Sequence, residues 1–273
     1  MTPKQVFEDS FRMAELLIHV YRLLENDGLQ TTGQLVTSLR GLLECEEDEQ
    51  IQLVVNTIFL GCIRESAKVP GIHLKPQSLQ NLLRQAVVSG CTAYETYLTT
   101  LLQAHVFTVI EVKQHQFFPE DKDVKEYFKG LSLTIGDSFR SLNASDRSFF
   151  LGQKVVNYVQ AKNVGSLNGL TTIGLLLGLK DPWSQLAAHL QQDSELIKKI
   201  IGDSIKRRNR VVHDSDRVRE ADGLEQQAIS FDWTQQSVDT IKNVCLGFDE
   251  LVTLRMAEYR AELAARNQEN EHV

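Results

Sequence analysis

The amino-acid sequence predicts an all-α protein, and three observations support this prediction. Apolar residues recur mainly at three- and four-residue steps, as they do along one face of an amphipathic helix. Runs in which β-branched and polar residues alternate, which would indicate strands, are nearly absent. Proline, which interrupts helices, occurs only five times in 273 residues. We therefore expect a helical bundle, preceded by an additional N-terminal helical region.

The N-terminal helical region is predicted to span residues 1–70. Its first helix runs from about Lys4 to Asn26, and further helices are expected near 32–43 and 47–65. The segment from Lys68 to Pro76 contains two prolines and a glycine, which makes it the clearest internal boundary of the chain. The first helix has an apolar face made of Phe7, Phe11, Ala14, Leu17, Ile18, Tyr21 and Leu24.

A second region, residues 76–260, is predicted to begin with a long helix that starts near Ser78 and continues past Leu102. Between Arg84 and Glu111 its only formally charged side chain is Glu95. A buried lone carboxylate is costly unless it has a partner, so Glu95 is a candidate functional residue. Alternatively, Glu95 lies on a narrow solvated stripe together with Thr92, Thr99 and Gln103.

The rest of the chain is predicted to contain shorter helices and one more long helix. Helices are expected at 120–129 and 146–160, and the glycine-bearing segment 163–169 is interpreted as a turn. Asp181 followed by Pro182 indicates a helix start, and a further helix begins near Asp193. After a polar interval, the last helix is expected over 232–262, and 261–273 forms a polar tail.

The charge of the chain limits its partners. The formal net charge of −7 argues against general attachment to nucleic acid or to anionic membranes, so any such contact must be local. Between Asp203 and Arg219, however, the sequence contains six Lys or Arg residues and only three Asp residues.

The chain lacks a signal-like N-terminus and a long apolar run, which predicts a cytoplasmic protein without membrane contact. Four scattered cysteines without zinc-like spacing predict neither a metal site nor a disulfide framework, and no cofactor is expected.

The basic segment KRRNRVVH, residues 206–213, is the main candidate for function. On the helix from Asp193 the apolar stripe Ile197, Ile201, Ile205 continues through Arg208 to Val212. Arg208 thus occupies a position where an aliphatic residue is expected, although an arginine near a helix end can extend its head to water.

Asn209 and His213 lie four residues apart and therefore share one face of an unbroken helix, with Arg208 about 100° around from Asn209. These three residues could converge on one phosphate. Arginine can stabilise the charge of a phosphoryl transition state, and histidine can transfer a proton near neutral pH. Cleavage of RNA by its own 2′-hydroxyl needs no metal, which agrees with the absence of a ligand cluster.

Several segments resemble the HEPN superfamily of helical domains, whose ribonuclease members carry an Arg-x(4–6)-His motif. Arg208-Asn209-Arg210-Val211-Val212-His213 fits this motif with four intervening residues. Glu95-Thr96-Tyr97-Leu98 resembles the acidic segment of the early HEPN helix, and residues 228–252 are similar to the segment that enters the closing helix. The resemblance covers about 76–259 and is greatest to the RiboL-PSP-type and MAE-type groups.

The resemblance implies a metal-independent endoribonuclease that leaves a 2′,3′-cyclic phosphate and works at a two-fold homodimer interface. Carried onto this chain, Arg208 would bind the scissile phosphate, His213 would transfer the proton and Asn209 would position them. Glu95 would be a secondary contributor. RNA-backbone contacts would come from Lys206, Arg207 and Arg210. Members of the family often act as toxins or antiviral effectors, which implies an antitoxin or another regulatory protein as a partner.

Two other functions remain open on the sequence. The acidic chain has no evident basic surface beyond residues 206–213, which is compatible with a catalytically inactive HEPN-like module that binds RNA or a protein. In the other alternative, the chain is a helical scaffold whose residues 1–70 bind another protein, and the basic segment is a charged helix end.

Overall fold

The computed structural model describes residues 1–25, 76–117, 122–132, 134–137, 139, 147–162, 164–220 and 223–271. Within these residues it confirms the all-α class, with one short hairpin in addition. The helices are α1 (Pro3–Glu25), α2 (Pro76–Lys113), a 3-10 turn (Gln114–Gln116), α3 (Lys122–Tyr127), α4 (Arg147–Gln160), α5 (Leu167–Leu176), α6 (Pro182–Leu190), α7 (Ser194–Asp214) and α8 (Phe231–Glu271).

The chain divides into two compact units. One contains residues Met1–Phe11, Gly90–Lys206 and Asp239–Val273, and the other contains Arg12–Ser89 and Arg207–Val238. The predicted helices at 32–43 and 47–65 and the predicted boundary near residue 70 lie outside the described residues. The division into a 1–70 region and a 76–260 domain therefore stays a prediction.

Helix α1 begins where a reciprocal pair of hydrogen bonds closes its first turn. The backbone N–H of Thr2 donates to the Gln5 side chain at 2.8 Å, and the N–H of Gln5 donates to the Thr2 hydroxyl at 3.2 Å. This is the capping box that a Thr-x-x-Gln sequence can form. The apolar face predicted for the helix is largely confirmed, with buried side chains at Phe7, Phe11, Ala14, Ile18 and Tyr21.

Helix α2 extends over 38 residues and forms much of the core of the first unit. Its residues Tyr97, Leu98, Leu101 and Leu102 are almost completely buried. Phe7 of α1 contacts Tyr97 edge-on, with the ring centroids 5.6 Å apart. Edge-on packing of this kind is the arrangement that aromatic pairs favour.

Side-chain caps fix the starts of α5 and α6. The hydroxyl of Ser166 accepts from the N–H of Gly169 at 3.0 Å, so the helix already begins at Leu167, inside the segment that the sequence analysis interpreted as a turn. That interpretation is wrong for residues 167–169, because a serine cap can start a helix within a glycine-bearing segment. The start predicted at Asp181 is confirmed, since its carboxylate accepts from the N–H of Ser184 at 3.1 Å.

The end of the last helix differs from the prediction. α8 continues to Glu271, so the helix does not end near residue 262 and includes residues 261–271 of the predicted polar tail. Two contacts of Arg266 account for this extension: an ion pair at 2.5 Å with Glu262, one turn earlier, and a hydrogen bond at 2.9 Å to the carbonyl of Val112. Pairs four residues apart stabilise a helix, and the second contact fixes the same turn to α2.

The polar interval before α8 forms a two-stranded antiparallel hairpin that the sequence analysis did not predict. Strand β1 (Arg217–Glu220) pairs with β2 (Gly223–Gln226), with Arg217 opposite Gln226 and Glu220 opposite Gly223. The strands are only four residues long, too short for an alternating pattern to be detected above chance.

Among the described residues, no helix combines the length and the apolar composition that crossing a bilayer requires.

Two glycines of the unit that contains residues 90–206 should respond to substitution by alanine with opposite changes in the free energy of unfolding. Gly178 has a φ of +95°, and an added Cβ would lie 2.1 Å from the hydroxyl of Tyr259. Gly202 lies inside α7, where an added Cβ would make only an ordinary contact at 3.5 Å. In urea denaturation we expect Gly178→Ala to lower the free energy of unfolding by about 1–3 kcal/mol. Gly202→Ala should raise it by about 0.5–1 kcal/mol, because alanine favours the helix. If both variants changed the free energy of unfolding in the same direction, the surroundings described for the two glycines would be wrong.

Candidate functional site

The basic segment lies at the C-terminal end of α7. The helix is capped at its start by Asp193, whose carboxylate accepts from the N–H of Leu196 at 2.7 Å, and it runs without a break to Asp214. Asn209 and His213 therefore share a helix face, as the sequence predicts. His213 is exposed and Asn209 is half-buried. No hydrogen bond joins these two side chains, both of which are described, so the amide does not orient the imidazole in this conformation.

The buried face of α7 does not follow the predicted stripe. Ile197 and Ile201 are buried as expected, but the next buried positions are Ser204 and Arg207. Val212, which the stripe placed in the core, is 55% exposed. Periodicity alone assigned the final turns to an apolar seam, whereas the actual buried residue of these turns is an arginine with a charged partner.

That partner is Asp216, whose side chain is completely buried. One of its oxygens, Oδ2, accepts from Nε of Arg84 at 2.7 Å and from Nη2 of Arg207 at 2.5 Å. Both arginines also donate to the backbone carbonyl of Gln227, at 2.7 Å from Arg84 and 2.9 Å from Arg207. Arg207 donates in addition to the carbonyl of Ala228 at 3.0 Å. We call Arg84, Arg207 and Asp216 the buried ion cluster.

The backbone at Asp216 closes the end of the helix. Ser215 and Asp216 have φ values of 52° and 58°, in the left-handed region that aspartate tolerates better than most residues. The N–H of Asp216 donates to the carbonyl of Arg210 at 2.9 Å, which satisfies one of the carbonyls left open at the end of a helix. The carbonyl of Asp216 accepts from the N–H of Gln227 at 2.8 Å. The chain is thus reversed and held on both sides at this residue.

The electrostatics of the cluster are unbalanced, because two guanidinium groups share one carboxylate. Desolvation by burial lowers the pKa of Arg207, and the hydrogen bond and charge of Asp216 act in the opposite direction. The second oxygen of Asp216, Oδ1, is buried without a hydrogen-bond partner within the described residues. The guanidinium of Arg207 also lies 5.8 Å from the ring centroid of Trp233, a favourable cation–π distance.

Arg207 is therefore buried, which opposes the RNA-backbone contact that the resemblance implies for it, because such a contact needs a side chain that RNA can reach. It is only 6% exposed, because the carboxylate of Asp216 and two carbonyls offer acceptors inside the protein. Lys206 is exposed, with Asp203 at 3.8 Å, whereas Arg208 and Arg210 are half-buried. Contacts of Lys206 and Arg210 with an RNA backbone stay predictions.

Glu95 lies on α2, in the unit formed by residues 1–11, 90–206 and 239–273, whereas Arg208, Asn209 and His213 belong to the other unit. The Glu95 side chain is half-buried, and Gly165 leaves it room: a Cβ at Gly165 would lie 3.1 Å from that of Glu95. Thr92 and Gln103 are exposed and Thr99 is half-buried, as in the solvated-stripe alternative. A contribution of Glu95 to a catalytic site stays a prediction.

Arg84 and Asp216 are partners of the basic segment that no sequence pattern indicates. In the sequence Asp216 is only one of three aspartates that reduce the local positive charge. Arg84 and Asp216 are 132 residues apart, and no local pattern relates two positions at such a distance. The one available signal is an aspartate two residues after the end of α7, in a segment whose other charged side chains are mostly basic.

The described residues contain no group of three or more His, Cys, Asp or Glu side chains arranged to hold a metal ion. Comparison with known proteins gives no match: no family model, no curated protein and no solved structure is significantly similar to the chain. Functional inference therefore depends on the residues of α7 and their surroundings.

Proposed function

We propose that the protein is an endoribonuclease of the HEPN type, which cleaves RNA by attack of the 2′-hydroxyl on the adjacent phosphate. One observation carries the proposal. Arg208, Asn209 and His213 all lie in the last two turns of one unbroken helix, where His213 is exposed to solvent and the other two side chains are half-buried. In this function an RNA strand would bind at this helix end.

The proposed roles follow from the chemistry of the three side chains. Arg208 binds a non-bridging oxygen of the scissile phosphate and stabilises the charge that develops there. His213 removes the proton of the 2′-hydroxyl or protonates the leaving 5′-oxygen. Asn209 lies one turn before His213 and holds the phosphate and the imidazole in the relative position that the reaction requires. Lys206 and Arg210 bind neighbouring phosphates and position the strand.

The proposal extends to partners. A second copy of the chain would complete the site across a two-fold axis, and the enzyme would work in the cytoplasm as a toxin or antiviral effector. An antitoxin or another regulatory protein would then restrain it. These statements come from the resemblance to the HEPN superfamily and not from the geometry of α7.

The reaction itself can be tested with purified protein and a labelled RNA oligonucleotide. We expect cleavage at the same rate with and without excess EDTA, and products that end in a 2′,3′-cyclic phosphate and a 5′-hydroxyl. Replacing the ribose at the cleaved position by 2′-deoxyribose should abolish cleavage there, because the attacking group is then missing. Cleavage that persists at the deoxyribose, or that stops on chelation, would contradict the proposed mechanism.

A second candidate function is a catalytically inactive module that binds RNA or a protein. The observation that favours it is the side chain of His213, which has no hydrogen bond to Asn209 and so is not held in one orientation by it. Such a module would retain RNA in a binding assay but give no cleaved ends in the experiment above.

A further inference from the structure

The buried ion cluster is an unusual way to end a helix. A left-handed residue and one backbone hydrogen bond would suffice to reverse the chain after α7. Here the reversal also contains a completely buried carboxylate bound by two arginines, one from α2 and one from α7 itself. Arg84 is 3% and Arg207 6% exposed, so water contributes little to their solvation.

Stability alone does not account for such a cluster. Removing charges from water costs about as much free energy as their attraction returns, and well-packed apolar side chains often replace a buried ion pair without loss of stability. An ion pair with hydrogen bonds fixes the orientation of a side chain, which an apolar contact does not do. The acceptors of Arg207 at Asp216, Gln227 and Ala228 surround one nitrogen, Nη2, whose two N–H groups they share, and so they determine where the end of that side chain lies.

The fixed side chain is the direct neighbour of the proposed site. Arg207 precedes Arg208 and Asn209 in the chain, and the N–H of Asp216 holds the carbonyl of Arg210. The proposed catalytic residues thus lie between two points of attachment, one at Arg207 and one at Asp216. A rotation of the final turns of α7 about the helix axis would break the contacts at both points.

We propose that Arg84, Arg207 and Asp216 are positioning residues, which hold the last two turns of α7 in the orientation that presents Arg208, Asn209 and His213 to the RNA. The inference rests on the proposed function and deepens it. The three residues touch neither substrate nor reacting atoms. They act through the helix end, and a misplacement of about 1 Å at a reacting group can cost about 100-fold in rate.

The test uses charge-preserving variants of the full chain. Arg207→Lys retains one positive charge, but the lysine side chain is shorter and its ammonium does not reach the position of Nη2, from which Arg207 contacts all three acceptors. Arg84→Lys has a single nitrogen in place of the two, Nε and Nη2, that contact Asp216 and Gln227. Lys199→Arg is the matched control, because Lys199 is an exposed cation on the same helix, away from the cluster. Each variant is examined by amide hydrogen exchange, thermal unfolding, and kcat and KM for the RNA oligonucleotide.

We expect Arg207→Lys and Arg84→Lys to accelerate amide exchange in residues 209–214 by at least about tenfold, with exchange in α6 unchanged. In both variants kcat should fall about 100-fold while KM changes little, since the strand still binds but the reacting groups are misplaced. Lys199→Arg should match the wild type in every measurement. If Arg207→Lys does not fold, Arg84→Lys provides the same comparison.

Unchanged exchange in residues 209–214 would overturn the inference, and so would accelerated exchange with unchanged kcat. Loss of the folded state in both lysine variants would overturn it as well, because the cluster would then hold the whole unit and not the helix end. A wild type that binds but never cleaves RNA would refute the proposed function alone. In that case the exchange data still decide whether the cluster holds this helix end.

Discussion

Replacing Asp216 by alanine should lower the free energy of unfolding by about 3–5 kcal/mol. The reason is that the substitution leaves Arg84 and Arg207 buried without their carboxylate, and unpaired buried charges are far more costly than a lost surface ion pair. The left-handed backbone at residue 216 adds to the loss, because alanine tolerates this conformation less well than aspartate. Urea denaturation at neutral pH, followed by circular dichroism, measures the change.

Asp214→Ala is the matched control for this variant. Asp214 lies two residues earlier and is exposed at the end of α7, so its removal should change the free energy of unfolding by no more than about 0.5 kcal/mol. Equal effects of the two substitutions would contradict the burial of Asp216. A triple variant that places apolar residues at 84, 207 and 216 should recover much of the lost stability, because no unpaired charge then remains.

Replacing His213 by alanine should lower kcat for RNA cleavage by about 100- to 10,000-fold, the contribution that general acid–base catalysis usually makes. His213 is exposed at the end of α7, so the free energy of unfolding should stay within about 0.5 kcal/mol of the wild type. Arg208→Ala should lower kcat by about 100- to 1,000-fold, since it removes donors to the developing charge. A gel-based assay of initial rates, with thermal unfolding of each variant, separates lost catalysis from lost structure.

Lys206→Ala is the control variant that distinguishes the loss of a catalytic group from the loss of one positive charge. Lys206 is exposed on the same helix, and in the proposed function it binds only the RNA backbone. Its removal should weaken binding modestly and reduce the salt dependence of KM, with kcat nearly unchanged. Equal losses of kcat in the Lys206, Arg208 and His213 variants would indicate that the basic segment acts only through its total charge, and the assigned roles would then be wrong.

Much of the fold could be predicted because the relevant signals are local. The apolar face of α1 and the start of α6 at Asp181 depend on residues within a few positions of each other. Propensity and capping operate over this range, so a single sequence contains the information. The hairpin after α7 escaped prediction because its strands are short, and the extension of α8 escaped it because one of its contacts joins Arg266 to distant Val112.

The surroundings of the candidate site could not be predicted in the same way. Periodicity correctly placed Asn209 and His213 on one helix face, but it extended the apolar stripe to Arg208 and Val212. In the structure Val212 is largely exposed, and Arg207 takes the buried position. An arginine can be buried only if it finds hydrogen-bond acceptors inside the protein. The acceptors of Arg207 belong to residues that follow α7 in the chain.

The sequence by itself determined the all-α class, the helical periodicity and the arrangement of Arg208, Asn209 and His213 along one helix, because these depend on neighbours within one or two turns. Only the tertiary structure decided which cation of the basic segment is buried. Arg84 and Asp216 are 132 residues apart, and their contact forms only when the fold brings the start of α2 to the residues that follow α7. Charge in the sequence is a sum over residues, whereas burial and pairing are properties of the fold.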